Sequence, residues 1–168
     1  MAIITALALL ASPETVPGSP EKTCAVLQSA FMTASDVRTG KTYDGKFYPK
    51  VIHASAEQLN LKGFHAEYRS RMALSPAEFA ELSQREAADE GSSFQPNCRW
   101  PGKPTVIRNH ADGYGYVSFT KPVFSRLGDL ALVQVSIYET YRFGHGDLCV
   151  VRHSRGRWTA KCQPSWIS

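Results

Sequence analysis

The second half of the chain alternates between apolar and polar residues with a period of two, which is the pattern of strands in a sheet. In the longest run, Leu130–Tyr138, the odd-numbered positions from Ala131 to Ile137 are apolar, whereas Gln134 and Ser136 fall on the opposite face. Shorter runs predict further strands over Tyr116–Thr120, Val123–Arg126, Leu148–His153 and Arg157–Cys162. Because short turns separate these runs, we expect an antiparallel meander of about five strands.

The first half of the chain shows helical periodicity instead. Over Glu21–Thr33, apolar residues recur at helical spacings from Cys24 to Phe31, which predicts an amphipathic helix with that cysteine on its buried face. Pro20 suits the first turn of this helix.

A second helix is predicted from Pro76 to about Ala88, because Ser75 and Glu78 have the spacing of a capping box. Leu74 and Phe79 are then placed to form a hydrophobic staple across the start of the helix. Two helices followed by a sheet predict an α+β fold in which both helices pack on the meander.

The N-terminal segment has the pattern of an export signal. Met1–Ala11 is an apolar run of the right length for a signal-peptide core and too short for a membrane-spanning helix, and Ser12–Pro20 is a polar, Pro-rich break. We therefore expect residues 1–19 to be a signal peptide and linker, and residues 20–168 to form one domain that is periplasmic or secreted, with no integral membrane segment in the mature chain. The alternative is a buried N-terminal strand or helix.

The four cysteines, Cys24, Cys98, Cys149 and Cys162, permit three disulfide pairings, and none has the CxxC spacing of zinc or redox sites. Arg155-Gly156 predicts a two-residue hairpin turn, across which facing residues have numbers that sum to 311, as those of Cys149 and Cys162 do. This register predicts a non-hydrogen-bonded pair with Cα atoms roughly 4.5 Å apart, which a disulfide accepts. Cys24 is then left to pair with Cys98. A three-residue loop would break the register.

The net charge of +4 is unevenly distributed along the chain. Residues 99–168 contain ten Lys/Arg and four Asp/Glu, a net +6, whereas residues 1–98 contain nine and eleven, a net −2. A basic region of this kind favours an acidic protein partner or an anionic envelope polymer, with nucleic acid less favoured. The alternative is that the cations keep an exposed strand edge soluble. The candidate binding residues are Arg142, Arg152, Arg155, Arg157, Trp158 and Lys161.

Two histidines lie near carboxylates in the sequence. His110 and His145 each come two residues before an aspartate, Asp112 and Asp147 respectively. With Tyr141, they are candidates for general acid–base catalysis. The favoured interpretation is that both segments form turns between strands, because Asn, Asp and Gly are common turn formers. The sequence contains no HExxH, GxSxG or phosphate-binding glycine motif, so neither a metal nor another cofactor is predicted.

The last third of the chain resembles a known module. The matching stretches are Phe119–Ser125, Leu130–Ser136, Gly144–Cys149, Gly156–Trp158 and Trp166–Ser168. They are similar to a C-terminal β-rich module of uncharacterised bacterial secreted proteins and lipoproteins. The resemblance implies export and an antiparallel sheet, and because the family has no assigned activity it carries over no catalytic residue. A Gly-Arg-Trp sequence near a C-terminus also occurs in NTF2-like cone folds, a weaker alternative for the sheet.

Two expected disulfides, a rigid sheet and no recognisable catalytic set favour a non-enzymatic extracytoplasmic protein that binds a partner, of the inhibitor or immunity type. The first alternative is a small secreted hydrolase or nuclease that uses His110 or His145. The second is a structural envelope domain without a specific ligand.

Overall fold

The computed structural model describes residues 18–39, 51–53, 59–88, 97–100, 105–107, 116–138 and 144–167. Within these ranges the helices are α1 (Pro20–Thr39), α2 (Ala66–Ser70) and α3 (Pro76–Ala88), with a 3₁₀ turn at Leu61–Gly63. The strands are β1 (Val51–His53), β2 (Thr105–Ile107), β3 (Tyr116–Phe119), β4 (Val123–Phe124), β5 (Leu130–Tyr138), β6 (Gly144–Ser154) and β7 (Arg157–Ile167). These helices precede the antiparallel strands, which confirms the predicted α+β class.

All the described strands belong to one sheet, in the order β2-β1-β3-β5-β6-β7, and β4 pairs with β5 off this path. Strands β3 to β7 pair antiparallel, as the predicted meander requires. Strand β1 pairs in parallel with both β2 and β3, so two short parallel strands extend the meander at one end. Strand β7 lies at the opposite end of this order.

Strands β3 and β4 are two parts of a run interrupted at Pro122, and both pair with β5. Proline has no N–H and cannot donate to the ladder. Thr120 bridges the interruption, because its N–H donates to the Gln134 carbonyl at 3.0 Å and its Oγ1 accepts the Gln134 N–H at 2.9 Å. The interruption ends β3 at Phe119, one residue before the predicted Thr120, whereas β4 ends at Phe124 rather than Arg126 because the Gly128 N–H donates to the Ser125 carbonyl in a turn.

Helix α3 begins at the predicted capping box. The Ser75 N–H donates to Glu78 Oε2 at 2.7 Å, and the Glu78 N–H donates to Ser75 Oγ at 3.3 Å. Leu82 is fully buried on the inner side of the helix, and Leu74 and Phe79 pack against the same cluster. The local sequence signal and the tertiary packing therefore agree on where this helix starts.

The helices cover opposite faces of the sheet. Helix α1 packs on the face formed by the odd-numbered residues of β5, where its apolar side chains join Phe119, Val133 and Trp100 in one buried cluster. Helices α2 and α3 cover the other face, where Leu130 and Leu132 belong to a second buried cluster. The first half of β5 is therefore buried on both faces, although the sequence pattern emphasised only one.

The β6–β7 hairpin has the predicted register. Ser154 faces Arg157 at its closed end, and the pairing continues without a shift to Asp147. Arg155 and Gly156 have φ angles of 50° and 78°, as a two-residue type I′ turn requires. The turn and the ladder are therefore consistent, and the register of β7 is well specified.

Both predicted disulfide pairings are confirmed. Cys149 bonds Cys162 across the hairpin with Cα atoms 4.0 Å apart, and Cys24 bonds Cys98 with Cα atoms 5.3 Å apart. Loop-closure entropy assigns about 4 kcal/mol to the Cys24–Cys98 bond, which closes the longer loop, and about 3 kcal/mol to the hairpin bond. The first bond ties α1 to the segment before β2, and the second joins the two strands of the hairpin.

The interpretation of His145 and Asp147 as turn residues is wrong, because both lie in strand β6. The strand begins at Gly144 rather than at the predicted Leu148, since β5 continues far enough to pair with it. Trp166 of β7 packs over Gly146, and a Cβ atom there would overlap its indole ring. Gly146 therefore leaves room for the Trp166 ring against the strand and does not form a turn.

Candidate functional site

Strand β7 is the edge of the sheet in the part of the chain that the structure describes, and it pairs with β6 along one side only. Its side chains alternate between two environments. Arg157, Thr159 and Lys161 are exposed on one face, whereas Trp158 and Ala160 are half-buried against the α1 side. An edge strand presents unpaired backbone groups that another chain can use.

The hairpin register identifies the backbone groups that point outward. Because Ser154 and Arg157 close the turn as a hydrogen-bonded pair, Trp158, Ala160 and Cys162 occupy non-hydrogen-bonded positions opposite β6. Their N–H and C=O groups therefore point away from β6. Among the described residues, no hydrogen-bond partner is found for the outward backbone groups of Ala160 and Cys162.

Both ends of this open edge are bounded. At one end, the Ser29 hydroxyl of α1 donates to the Trp158 carbonyl at 3.3 Å. At the other end, Pro164 has no N–H, and the Gln163 side chain donates to the Tyr68 carbonyl at 3.4 Å. The Tyr68 phenol, whose pKa burial raises, donates to the Gln163 carbonyl at 3.5 Å. The accessible edge is therefore short and centred on Ala160.

A groove of about 680 Å³ runs between α1 and the start of β7. One wall is a stripe of α1 at helical spacing, and the other is the hairpin turn with the first residues of β7. The groove is therefore continuous with the open backbone edge, and its walls combine apolar and polar side chains. Residues that line it include Ala25, Ser29 and Met32 of α1, and Gly156, Trp158 and Ala160 of the hairpin.

Three cations of the hairpin are exposed without a partner carboxylate. Arg155, Arg157 and Lys161 are exposed, and none of them forms an ion pair with a described acidic residue. All three lie within five residues of Ala160, whose outward backbone groups are open. This part of the molecule therefore combines uncompensated positive charge with an unpaired strand edge.

Arg152, another predicted binding residue, is used inside the fold. Its guanidinium donates to both carboxylate oxygens of Glu78, at 2.7 and 3.1 Å, and to the Ala73 carbonyl at 2.9 Å. The hydrogen bonds from Arg152, together with the one from the Ser75 N–H, lower the pKa of Glu78 to about 2. Arg152 therefore joins β6 to the start of α3, and Arg142 lies outside the described residues.

Trp158 packs strand β7 against the buried cluster under α1. Its ring packs edge-on to Phe124, with centroids 6.2 Å apart, and lies 5.0 Å from the His153 ring. The side chain is half-buried and belongs to the periphery of the α1 cluster. The tryptophan fixes the strand on the core while one part of it lines the groove.

Of the candidate catalytic residues, only His145 lies within the described ranges. His110, Asp112 and Tyr141 lie outside the described residues. His145 Nε2 lies 4.0 Å from Asp147 Oδ2, and the two residues are 7% and 0% exposed. A histidine beside a carboxylate can move a proton, but this pair is inside the protein on strand β6. The structure therefore brings one histidine and one carboxylate together and separates both from solvent.

Two further findings concern the described ranges alone. In them, no cluster of three or more His, Cys, Asp or Glu side chains is arranged to hold a metal ion. None of the described helices is long and apolar enough to cross a membrane.

Sequence reasoning identified the cations of this surface and missed its backbone and its groove. Ser29 and Met32 fall outside the apolar face that predicted helix α1, so nothing singled them out. One signal was available for the edge, because the last strand of a meander has a neighbour on one side only. The groove has no such signal, since it depends on how α1 crosses the sheet.

Comparison of the chain with protein-family models, with curated proteins and with solved structures gave no match.

Proposed function

We propose that this domain is a non-enzymatic, extracytoplasmic binding protein that recognises a protein partner through the edge of strand β7, in the manner of an inhibitor or immunity protein. One observation carries the proposal: among the described residues, Arg155, Arg157 and Lys161 have no partner carboxylate, and they lie beside the open backbone of Ala160. Two disulfides are typical of proteins in oxidising compartments, which supports the location.

A protein partner fits this surface better than an anionic envelope polymer. Positive charge alone attracts either kind of partner. The outward N–H and C=O groups of Ala160 and Cys162, however, match a second polypeptide strand, and the adjoining groove can accept its side chains. The hairpin disulfide holds this edge in one register, so less order has to be gained on binding.

The test is site-specific photo-crosslinking in the compartment to which the protein is exported. A photoreactive residue at Thr159 should yield one dominant protein adduct, and the same residue at Lys62, exposed near α2, should not. An adduct of equal strength at both positions would contradict the proposal. A structural envelope domain without a ligand predicts no adduct at either position.

The purified partner then allows a matched comparison of charges. The double variant Arg157→Gln/Lys161→Gln should bind about tenfold more weakly than wild type, because rim charges contribute to steering and affinity. The control Lys62→Gln/Arg126→Gln removes the same charge from exposed positions elsewhere and should bind within about twofold of wild type. Equal affinities for all three proteins would show that the β7 cations are not the binding surface.

A small hydrolase is the second candidate, and the observation that favours it is the 4.0 Å approach of His145 Nε2 to Asp147 Oδ2. Turnover of ester or phosphodiester substrates by the purified protein, lost in His145→Gln while the fold is retained, would establish it. Absence of turnover for both substrate classes counts against it and leaves the binding proposal as the explanation of the exposed edge.

A further inference from the structure

The open edge of β7 can select a particular kind of partner segment, an inference that rests on the proposed function and specifies its ligand. Outward groups of Ala160 and Cys162 repeat every second residue, which is the spacing of a β-ladder. A chain that binds there gains main-chain hydrogen bonds only if it is extended.

The length of that segment is limited by the two ends of the edge. Ser29 occupies the Trp158 carbonyl, and Pro164 offers no N–H to a partner strand. Between them lie the outward N–H and C=O groups of Ala160 and Cys162. A strand of about five residues, the usual length in globular proteins, is sufficient to use them all.

The two faces of an added strand would meet different chemistry. On one face lie Arg157 and Lys161, both exposed and without a described carboxylate partner. On the other face lies the groove beside α1, whose walls include Met32 and Trp158 and whose hairpin end Arg157 also borders. Because strand side chains alternate, the best match has acidic residues at every second position and small apolar residues between them.

A second copy of this chain is a poor occupant of the same edge. Antiparallel pairing of two β7 strands about Ala160 would bring Arg157 and Lys161 of both copies onto one face of the joint sheet. In that register, Arg157 and Lys161 of one copy lie diagonally across from Lys161 of the other, and like charges within reach of each other disfavour the pairing. The charge of the edge therefore favours an acidic segment of another protein over self-association.

We infer that the partner adds an extended segment of alternating acidic and apolar residues to β7 as a further strand, paired with the backbone of Ala160 and Cys162. The cations of the edge read the acidic face, and the groove beside α1 takes the apolar face.

The test uses the full exported chain and the acetylated, amidated peptide Glu-Val-Glu-Val-Glu-Val-Glu. Titration followed by NMR should show slower amide hydrogen exchange at Ala160 and Cys162, with affinity that falls as NaCl is raised. The peptide with Lys in place of every Glu should not bind. A peptide N-methylated at alternate backbone amides keeps its charge but loses ladder donors. Its affinity should be lower than that of the parent peptide by about tenfold or more.

A matched pair of variants tests the edge from the side of the protein. Ala160→Pro removes one outward N–H while leaving the β6 ladder intact, because proline is tolerated at edge positions whose N–H faces solvent. It should weaken peptide binding about tenfold or more, whereas Ala160→Ser, which keeps the N–H, should stay within about twofold. Unfolding curves of both variants establish that the fold is retained.

The outcomes separate this inference from the proposed function. If the N-methylated peptide binds wild-type protein as well as its parent does, or if no peptide protects the Ala160 amide, strand addition is wrong. The charge comparison with the crosslinked partner then decides whether the β7 surface still binds by side chains alone. Concentration-dependent dimerisation that protects the same amides, without peptide, would instead identify a second copy as the occupant.

Discussion

Strands β6 and β7 form one hairpin and carry similar basic side chains, yet the fold uses them in opposite ways. Strand β6 pairs with β5 and β7, is buried over most of its length, and directs Arg152 to Glu78. Within the described ranges, strand β7 pairs with β6 alone, and Arg157 and Lys161 are exposed without a carboxylate partner. Position in the sheet order, rather than charge, therefore decides which cations stabilise the fold and which are available to a partner.

The largest effect is expected where β6 has no room for a side chain. In Gly146→Ala the new Cβ overlaps the Trp166 indole, so the ring has to leave its site over the strand. We expect a loss of about 3 kcal/mol in the free energy of unfolding, at the upper end for overpacked sites. Urea unfolding followed by tryptophan fluorescence measures it. A loss no larger than that of Thr159→Ala on β7 would mean that β6 is not the more constrained strand.

A smaller effect is expected at the turn that joins the two strands. Gly156 has a φ of 78°, and nothing lies within 4 Å of a Cβ atom built there. The cost of Gly156→Ala is therefore conformational rather than steric, about 1 kcal/mol in the free energy of unfolding. Gly156→Asn provides the control, because Asn tolerates this region better and should recover part of the loss.

The ion pair of β6 predicts a pH dependence. In the folded state the pKa of Glu78 is about 2, below its ordinary value of 4.5. As the pH falls, this carboxylate is therefore protonated in the unfolded chain before it is protonated in the folded one. The stabilisation is complete above pH 4.5 and is lost between about pH 4.5 and 2. Because the pair is partly exposed, we expect Glu78→Gln to cost about 1 kcal/mol at pH 7.

The measurement is urea unfolding of wild type and Glu78→Gln at neutral and acidic pH. Glutamine can replace glutamate in the capping box, so the variant isolates the charge from the helix cap. The difference between the two proteins should shrink as the pH is lowered toward 2, the folded-state pKa of Glu78. A difference that is independent of pH would show that Arg152 does not stabilise the fold through that carboxylate.

Patterns of short range predicted much of the fold. The capping box located the start of α3, the period of two located β5, and the Arg155-Gly156 turn set the pairing of Cys149 with Cys162. Each of these depends on residues that are neighbours in sequence or across a single turn. Local physical chemistry is sufficient in such places.

Long-range features escaped prediction for the corresponding reason. The sequence around His145 is typical of a turn, but pairing with β5 on one side and with the Trp166 end of β7 on the other makes it part of strand β6. Strands β1 and β2 have three residues each, too few for the sequence to indicate their parallel pairing. At the candidate site the cations could be identified from composition, but the pairing of Arg152 with Glu78 and the groove beside α1 depend on tertiary packing.

The smallest effect on stability is expected at the edge itself. Arg157 and Lys161 have no described carboxylate partner, and with Arg155 they place three like charges on one hairpin. Arg157→Gln/Lys161→Gln should therefore leave the free energy of unfolding unchanged or raise it by up to about 0.5 kcal/mol. Urea unfolding at low and high NaCl measures this, and the small gain should vanish at high salt because screening removes the repulsion. A loss as large as that of Glu78→Gln would mean that the two strands use their arginines alike. A stable fold with weakened partner binding in the same variant would instead assign β6 to folding and β7 to recognition.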